Sequence, residues 1–131
     1  VVLVDTSVLI DFLKGRSNPV IEKFQFILAS GITFGINSLI YQEVLQGARN
    51  EKEFETLKSY LETQRFYDLK NGKDSYAKAA NIYFLCRKNG FQVGSTIDCL
   101  IAQSTIEHNL LLLHNDKDFE KIAKVVKLRF Y

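Results

Sequence analysis

Four acidic residues stand where apolar runs end or helices begin. Asp5 follows Val1-Val2-Leu3-Val4, Glu43 sits in the helical stretch after Ile32–Ile36, Asp98 lies in the first turn of a helix, and Asp116 follows Leu110–Leu113. Asp118 comes two residues later. Singly, each has an innocent role. Asp5 can be a solvated strand-end acid, and Ser95-x-x-Asp98 can be a capping box with Asp in place of Glu. Asp116 or Asn115 can cap the last helix, with Asp118 favoured by the helix dipole. Glu43 can ride the edge of a stripe formed with Leu39, Ile40 and Gly47. Together they point elsewhere. Two carboxylates roughly 4 Å apart repel by about 4 kcal/mol at an effective dielectric near 20. Four on one pocket therefore call for a cation. Hard oxygen donors suit Mg²⁺ or Mn²⁺, which bind phosphate and activate water.

Other chemistries lack their residues. There is no GxGxxG and no GxxxxGK[ST]. His108 and His114 are not spaced as zinc ligands on one helix face, and neither cysteine has a metal-ligand neighbour. Ser7 and Ser38 lack an evident His–acid triad. A receiver domain would place paired acids after its first strand and a Lys after its last. A haloacid-dehalogenase phosphatase would have a second Asp where Ser7 stands.

For these acids to meet, the elements carrying them must end at one edge of a sheet. Val1–Val4 reads as a strand buried on both faces, as in a parallel sheet. Ile32–Ile36, Arg65–Leu69, Leu110–Leu113 and Val125–Phe130 read as further strands. Between them lie helical patterns. One begins at Thr6 and Ser7, whose oxygens suit an N-cap. The next begins at Asn18-Pro19 and others at Asn37 and at Ser95 or Thr96, with a long helix over Lys73–Lys88 and a short one near Asp116. Strands alternating with helices predict one α/β domain over residues 1–131, with a mostly parallel central sheet and helices on both faces. Right-handed crossovers carry the carboxyl ends of such strands to one edge, where sites form.

Composition sets bounds. The 131 residues are 47% hydrophobic and 24% charged, as in an ordinary globular domain. Lys and Arg number 17 against 15 acids, a net charge of +2, so any nucleic-acid contact must come from a local basic patch. Cys86 and Cys99 form no CxxC pair and read as free thiols in a reducing cytosol. The opening VVLVD places an acid where a secretory leader would stay apolar. No apolar run approaches the roughly 20 residues of a membrane span.

Val4-Asp5-Thr6-Ser7-Val8-Leu9-Ile10-Asp11 resembles the opening of a PIN domain, and of the VapC toxins in particular. Tyr41-Gln42-Glu43-Val44-Leu45-Gln46-Gly47-Ala48 resembles the second acidic motif, Ile97-Asp98-Cys99-Leu100-Ile101-Ala102 the third, and Leu111-Leu112-Leu113-His114-Asn115-Asp116-Lys117-Asp118-Phe119 the fourth. Their order and spacing run through nearly the whole chain. The resemblance implies a cytoplasmic Mg²⁺- or Mn²⁺-dependent endoribonuclease, the toxin of a type II toxin–antitoxin pair. Asp5, Glu43, Asp98 and Asp116 fall on the metal-site acids, and Thr6 or Ser7 on a hydroxyl near the metal. Asp118 reads first as a helix-start acid and second as a ligand to a second metal. His114 departs from the Thr of many relatives. The resemblance further implies a VapB-like antitoxin partner, an RNA substrate with transfer RNA as a candidate, and a homodimer. Lys14, Arg16 and Lys117 are the basic residues expected, as a group, to hold phosphates. From another class, the alternative is an inactive PIN-like module that binds RNA or protein without cutting. A metal-dependent DNA nuclease is a third reading.

Overall fold

The computed structural model describes residues 1–131. Its elements run β1 (Val2–Val4), α1 (Thr6–Leu13), α2 (Pro19–Ala29), β2 (Gly35–Ile36), α3 (Ser38–Gln46), α4 (Glu51–Leu61), β3 (Arg65–Phe66), α5 (Lys73–Lys88), α6 (Thr96–Glu107), β4 (Leu111–Leu113) and α7 (Lys117–Ile122). All strand pairings are parallel, in the order β3-β2-β1-β4, with Leu3 opposite both Gly35 and Leu112.

That order fixes where a site can form. The chain steps from β1 to β2 to β3 in one direction, then returns across the sheet to β4 on the far side of β1. Right-handed crossovers place α1–α4 on one face and α5–α6 on the other. The strand order reverses between β1 and β4, and a crevice opens beyond their carboxyl ends. Asp5 and Asp116 follow those two strands.

The strands are short, yet the sheet is well anchored. Leu3, Val4, Ile36 and Leu112 are fully buried, and Leu113 nearly so. Phe24 meets Phe12 and Phe34 edge-on, with centroids 5.1 and 5.2 Å apart, beneath α1 and α2. Gly35 lets β2 and its neighbours close up: a Cβ there would lie 2.8 Å from the Tyr67 ring and 3.2 Å from the Val2 carbonyl oxygen. Asn18 and Asn37 cap α2 and α3, accepting the Ile21 and Ile40 amides at 2.9 Å.

Three sequence expectations are corrected. The second and third strands are shorter than Ile32–Ile36 and Arg65–Leu69, because only Gly35–Ile36 and Arg65–Phe66 find partners. Val125–Phe130 is not a strand. The Val125 and Val126 amides both bond to the Ile122 carbonyl, winding the chain on from α7, and only Phe130 bridges to Leu112. Asp5, not Thr6 or Ser7, caps α1. No helix is long and apolar enough to cross a membrane. Cys86 and Cys99 are both free and buried.

Candidate active site

Asp5 is only 3% exposed at the mouth of the crevice. Its Oδ2 accepts the Ser7 amide at 3.0 Å and the Ser7 hydroxyl at 2.6 Å. Burial pushes its pKa up to about 6, and the nearby Glu43 charge adds to the rise, against hydrogen bonds from Ser7 and the Thr6 backbone. Because Asp5 does the capping, Thr6 is the first helical residue and its hydroxyl is available. It donates to Glu43 Oε1 at 2.7 Å, tying α1 to α3. Glu43 Oε2 makes no hydrogen bond.

Asp98, Asp116 and Asp118 form the tightest cluster, each offering a carboxylate oxygen within 4.8 Å of the others. Asp98 comes from the first turn of α6. Its carboxylate makes no hydrogen bond, and the N-cap of that helix is the Ser95 hydroxyl, which accepts the Ile97 amide at 3.1 Å. The capping box is therefore not formed. Asp98 is 9% exposed. Burial is the main cause of a pKa pushed up to about 7, followed by the charges of Asp116, Asp5, Asp118 and Glu43. One carboxyl thus feels the charge of all four other acids, although only Asp98, Asp116 and Asp118 bring oxygens within 4.8 Å of one another, and Asp5 and Glu43 stand outside that group. Asp116 caps α7 through Oδ1, which accepts the Asp118 amide at 2.9 Å. Asp118 is more committed. Its Oδ2 accepts the Gly94 amide at 2.9 Å, pinning the loop before α6, and its Oδ1 lies 3.3 Å from Lys121 Nζ.

A polar chain joins α1 to the β4–α7 turn. Ser7 Oγ also accepts the Asn115 amide at 3.0 Å. Asn115 Nδ2 donates to Asp11 Oδ2 at 2.9 Å, and Asp11 Oδ1 pairs with Arg16 at 2.9 Å. His114 Nδ1 accepts the Asp116 amide at 3.1 Å, so the imidazole is neutral there, and burial lowers its pKa. Its ring packs between Phe119 and Phe130. Asp11 and Asn115 were not singled out in the sequence as a pair, although both lie inside the motif segments. Of the three candidate phosphate-binding cations, Lys117 adjoins Asp116. Lys14 stands at the far end of α1, roughly 13 Å along the helix from Asp5 at 1.5 Å per residue. Arg16 lies beyond it and is held by Asp11.

The donor set fits a hard divalent cation. It is made of carboxylate oxygens alone, with Lys121 as the one cation paired inside the cluster. Neither thiol nor imidazole faces the group as a ligand, which disfavours a soft-metal site.

This arrangement, acids after β1 and β4 joined by acids from α3 and α6, agrees with the comparison of sequences: the sequence model of the PIN domain matches residues 2–125. The chain belongs to the PIN domain family. Among curated proteins, Ribonuclease VapC11 of Mycobacterium tuberculosis is 27% identical over 129 residues, 98% of this chain and 96% of its own. Ribonuclease VapC51 of the same organism is 31% identical over 123 residues, 94% of this chain and 85% of its own. Two solved structures share the PIN fold. VapBC2 from Rickettsia felis, bound to a DNA fragment from its promoter, superposes with a TM-score of 0.74 at 15% identity, covering 99% of this chain and 96% of that one. VapBC-1 from nontypeable Haemophilus influenzae gives 0.71 at 21%, with the same coverage.

Proposed function

We propose that this PIN domain is a divalent-cation-dependent endoribonuclease and the toxin member of a toxin–antitoxin pair. The observation that carries the proposal is the cluster of Asp98, Asp116 and Asp118 beside the end of β4, with Asp5 and Glu43 near enough for their charges to act on Asp98 and one lysine paired to Asp118. Relatives named as VapC ribonucleases support RNA as the substrate. Bound there, Mg²⁺ or Mn²⁺ supplies charge neutralisation and polarisation of the scissile phosphate.

Each side chain has an assigned part. Asp98 and Asp116 hold the cation, with Asp118 completing the cluster where its bonds to Gly94 and Lys121 allow. Asp5 is fixed by Ser7 beside this cluster, where its charge acts on Asp98. Glu43 is held through Oε1 by Thr6, and its second oxygen orients water and accepts a proton from it. The Ser7–Asn115 bond keeps Asp5 and Asp116 at a constant separation, so the crevice is preorganised. Cleavage of a structured RNA should stop in EDTA and return when Mg²⁺ or Mn²⁺ is added in excess, while DNA of the same sequence is left intact. Unchanged activity in EDTA would refute the reading.

The solved relatives contain VapB with VapC, which supports a protein antitoxin as the partner here. The α2 surface is consistent with this. Ile21, Phe24 and Ile27 fill the core, whereas Phe26, on the same helix, is 65% exposed. An amphipathic segment of the partner would cover such a face. Co-expression with the neighbouring short reading frame should yield a stable complex, and sedimentation of the toxin alone should give a homodimer. A monomer that captures nothing from co-expression would count against both assignments.

A further inference from the structure

A cavity of about 430 Å³ adjoins the acid cluster at Asp116, which lines it while Asp98 and Asp118 do not. Its volume falls in the range of small-molecule sites. Asp116, Lys117 and Glu120 of the α7 region line it together with His114, Phe130 and Lys23 of α2. We infer that this cavity is a nucleotide subsite, holding one base of the RNA strand next to the phosphate at the acids. The inference rests on the ribonuclease reading above and adds to it where the flanking nucleotide sits.

The chemistry of the wall divides the nucleotide. Phe130 is 37% exposed, and its ring lies 4.4 Å from His114, centroid to centroid, which holds the ring in place. A rigid, half-exposed aromatic surface is what an unstacked base requires, and stacking on it tolerates any base. Lys117 is exposed and makes no ion pair or hydrogen bond in the structure, so its ammonium is available to a phosphate. Lys23 is already engaged: its Nζ donates to the Tyr131 carbonyl at 3.1 Å, fixing the segment that carries Phe130. Glu120 repels phosphate but can accept a hydrogen bond from a base edge. The phosphate therefore lies toward Lys117 and the base toward Phe130 and Glu120. Because Asp116 is a wall of both the cavity and the acid cluster, the base in one and the phosphate in the other belong to adjoining parts of a strand.

The test uses the full chain and a single-stranded RNA of about 12 nucleotides, mixed in sequence, with 5-iodouridine at alternate positions and Ca²⁺ present. On irradiation, crosslinks should map to His114, Phe130 or Tyr131. Lys117→Ala should weaken binding about threefold to tenfold and reduce the salt dependence by less than one counterion. Phe130→Leu retains apolar packing on His114 but removes the stacking face, and should weaken binding about fivefold to tenfold at an unchanged melting temperature. If Phe130→Leu melts early, the crosslink positions and Lys117→Ala decide the matter. RNA that is bound and cut while crosslinks map elsewhere, with both variants binding as wild type, would overturn the subsite and leave the ribonuclease reading standing. A wild-type protein that neither binds nor cuts RNA in Mn²⁺ would overturn both.

Discussion

Asp98→Asn is expected to lower cleavage by about 100-fold or more while leaving the metal-free protein as stable as wild type, or more stable. The reason is the environment of this carboxyl. It is 9% exposed, makes no hydrogen bond, and faces four other acids, so its ionisation is opposed by the fold. Removing the charge relieves that opposition in the apo protein. Removing it also takes away a cation ligand, and a carboxamide replaces a charged oxygen poorly. Linkage separates this from a structural role. A cation at 100 times its dissociation constant stabilises the folded state by about 2.7 kcal/mol. Wild type should therefore gain melting temperature in Mn²⁺, and Asp98→Asn should gain much less. Had Asp98 been a helix-capping group, the same substitution would lower apo stability by a few tenths to about 1 kcal/mol and leave the Mn²⁺ response whole. Thermal melts of both proteins in EDTA and in Mn²⁺ distinguish these outcomes by sign. A variant that is destabilised in EDTA yet keeps full activity and metal response would return Asp98 to a capping role.

The metal-free protein should also lose stability as pH rises from about 5 to 8, the reverse of the usual behaviour of carboxylates. Asp98 and Asp5 have folded pKa values pushed up to about 7 and about 6, above the ordinary 3.8. Between the unfolded and folded values, the native state holds protons that the unfolded state has released. Unfolding free energy then falls with pH. At about 1.4 kcal/mol for each tenfold in proton affinity, and with the two sites coupled, the loss is on the order of a few kcal/mol. For a domain of this size that is a fall of roughly 10 °C in melting temperature. Glu62 and Glu107, whose pKa values are lowered, are ionised in both states above pH 5 and do not change the slope. His114 acts in the opposite sense. Its lowered pKa makes the unfolded state the better proton acceptor up to about pH 7, so its contribution rises with pH. The difference between wild type and Asp98→Asn cancels the His114 contribution and leaves that of Asp98: the variant should match wild type at about pH 4 and below, where Asp98 is protonated in both states, and exceed it increasingly up to pH 8. Saturating Mn²⁺ should flatten or invert the wild-type slope, since the cation favours the ionised acids. Equal pH profiles for the two apo proteins would refute the carboxylate cluster.

The sequence alone was enough to put Asp5 and Asp116 just beyond buried strands, because a buried strand ended by a carboxylate is a local pattern. Val4-Asp5 and the segment Leu113 to Asp116 carry that signal in consecutive residues, and the caps Asn18 and Asn37 are legible for the same reason. The alternation of strands and helices likewise predicted the parallel sheet. Hydropathy reports that a side chain is buried, but not which backbone it pairs with. Hence Val125–Phe130 looked like a strand, and only the fold shows Val125 and Val126 turning back onto Ile122. The grouping of the acids was also beyond local reading. Asp118 joins Asp98 and Asp116 because the reversal of strand order brings the start of α7 against the start of α6. Lys14 and Arg16 lie at the far end of α1 because eight residues of helix, Thr6–Leu13, separate them from Asp5. The Ser7–Asn115 and Thr6–Glu43 bonds join residues 108 and 37 positions apart. The residue types state which groups can bond, whereas the partners at such separations are chosen by the crossovers that bring distant strand ends to one edge.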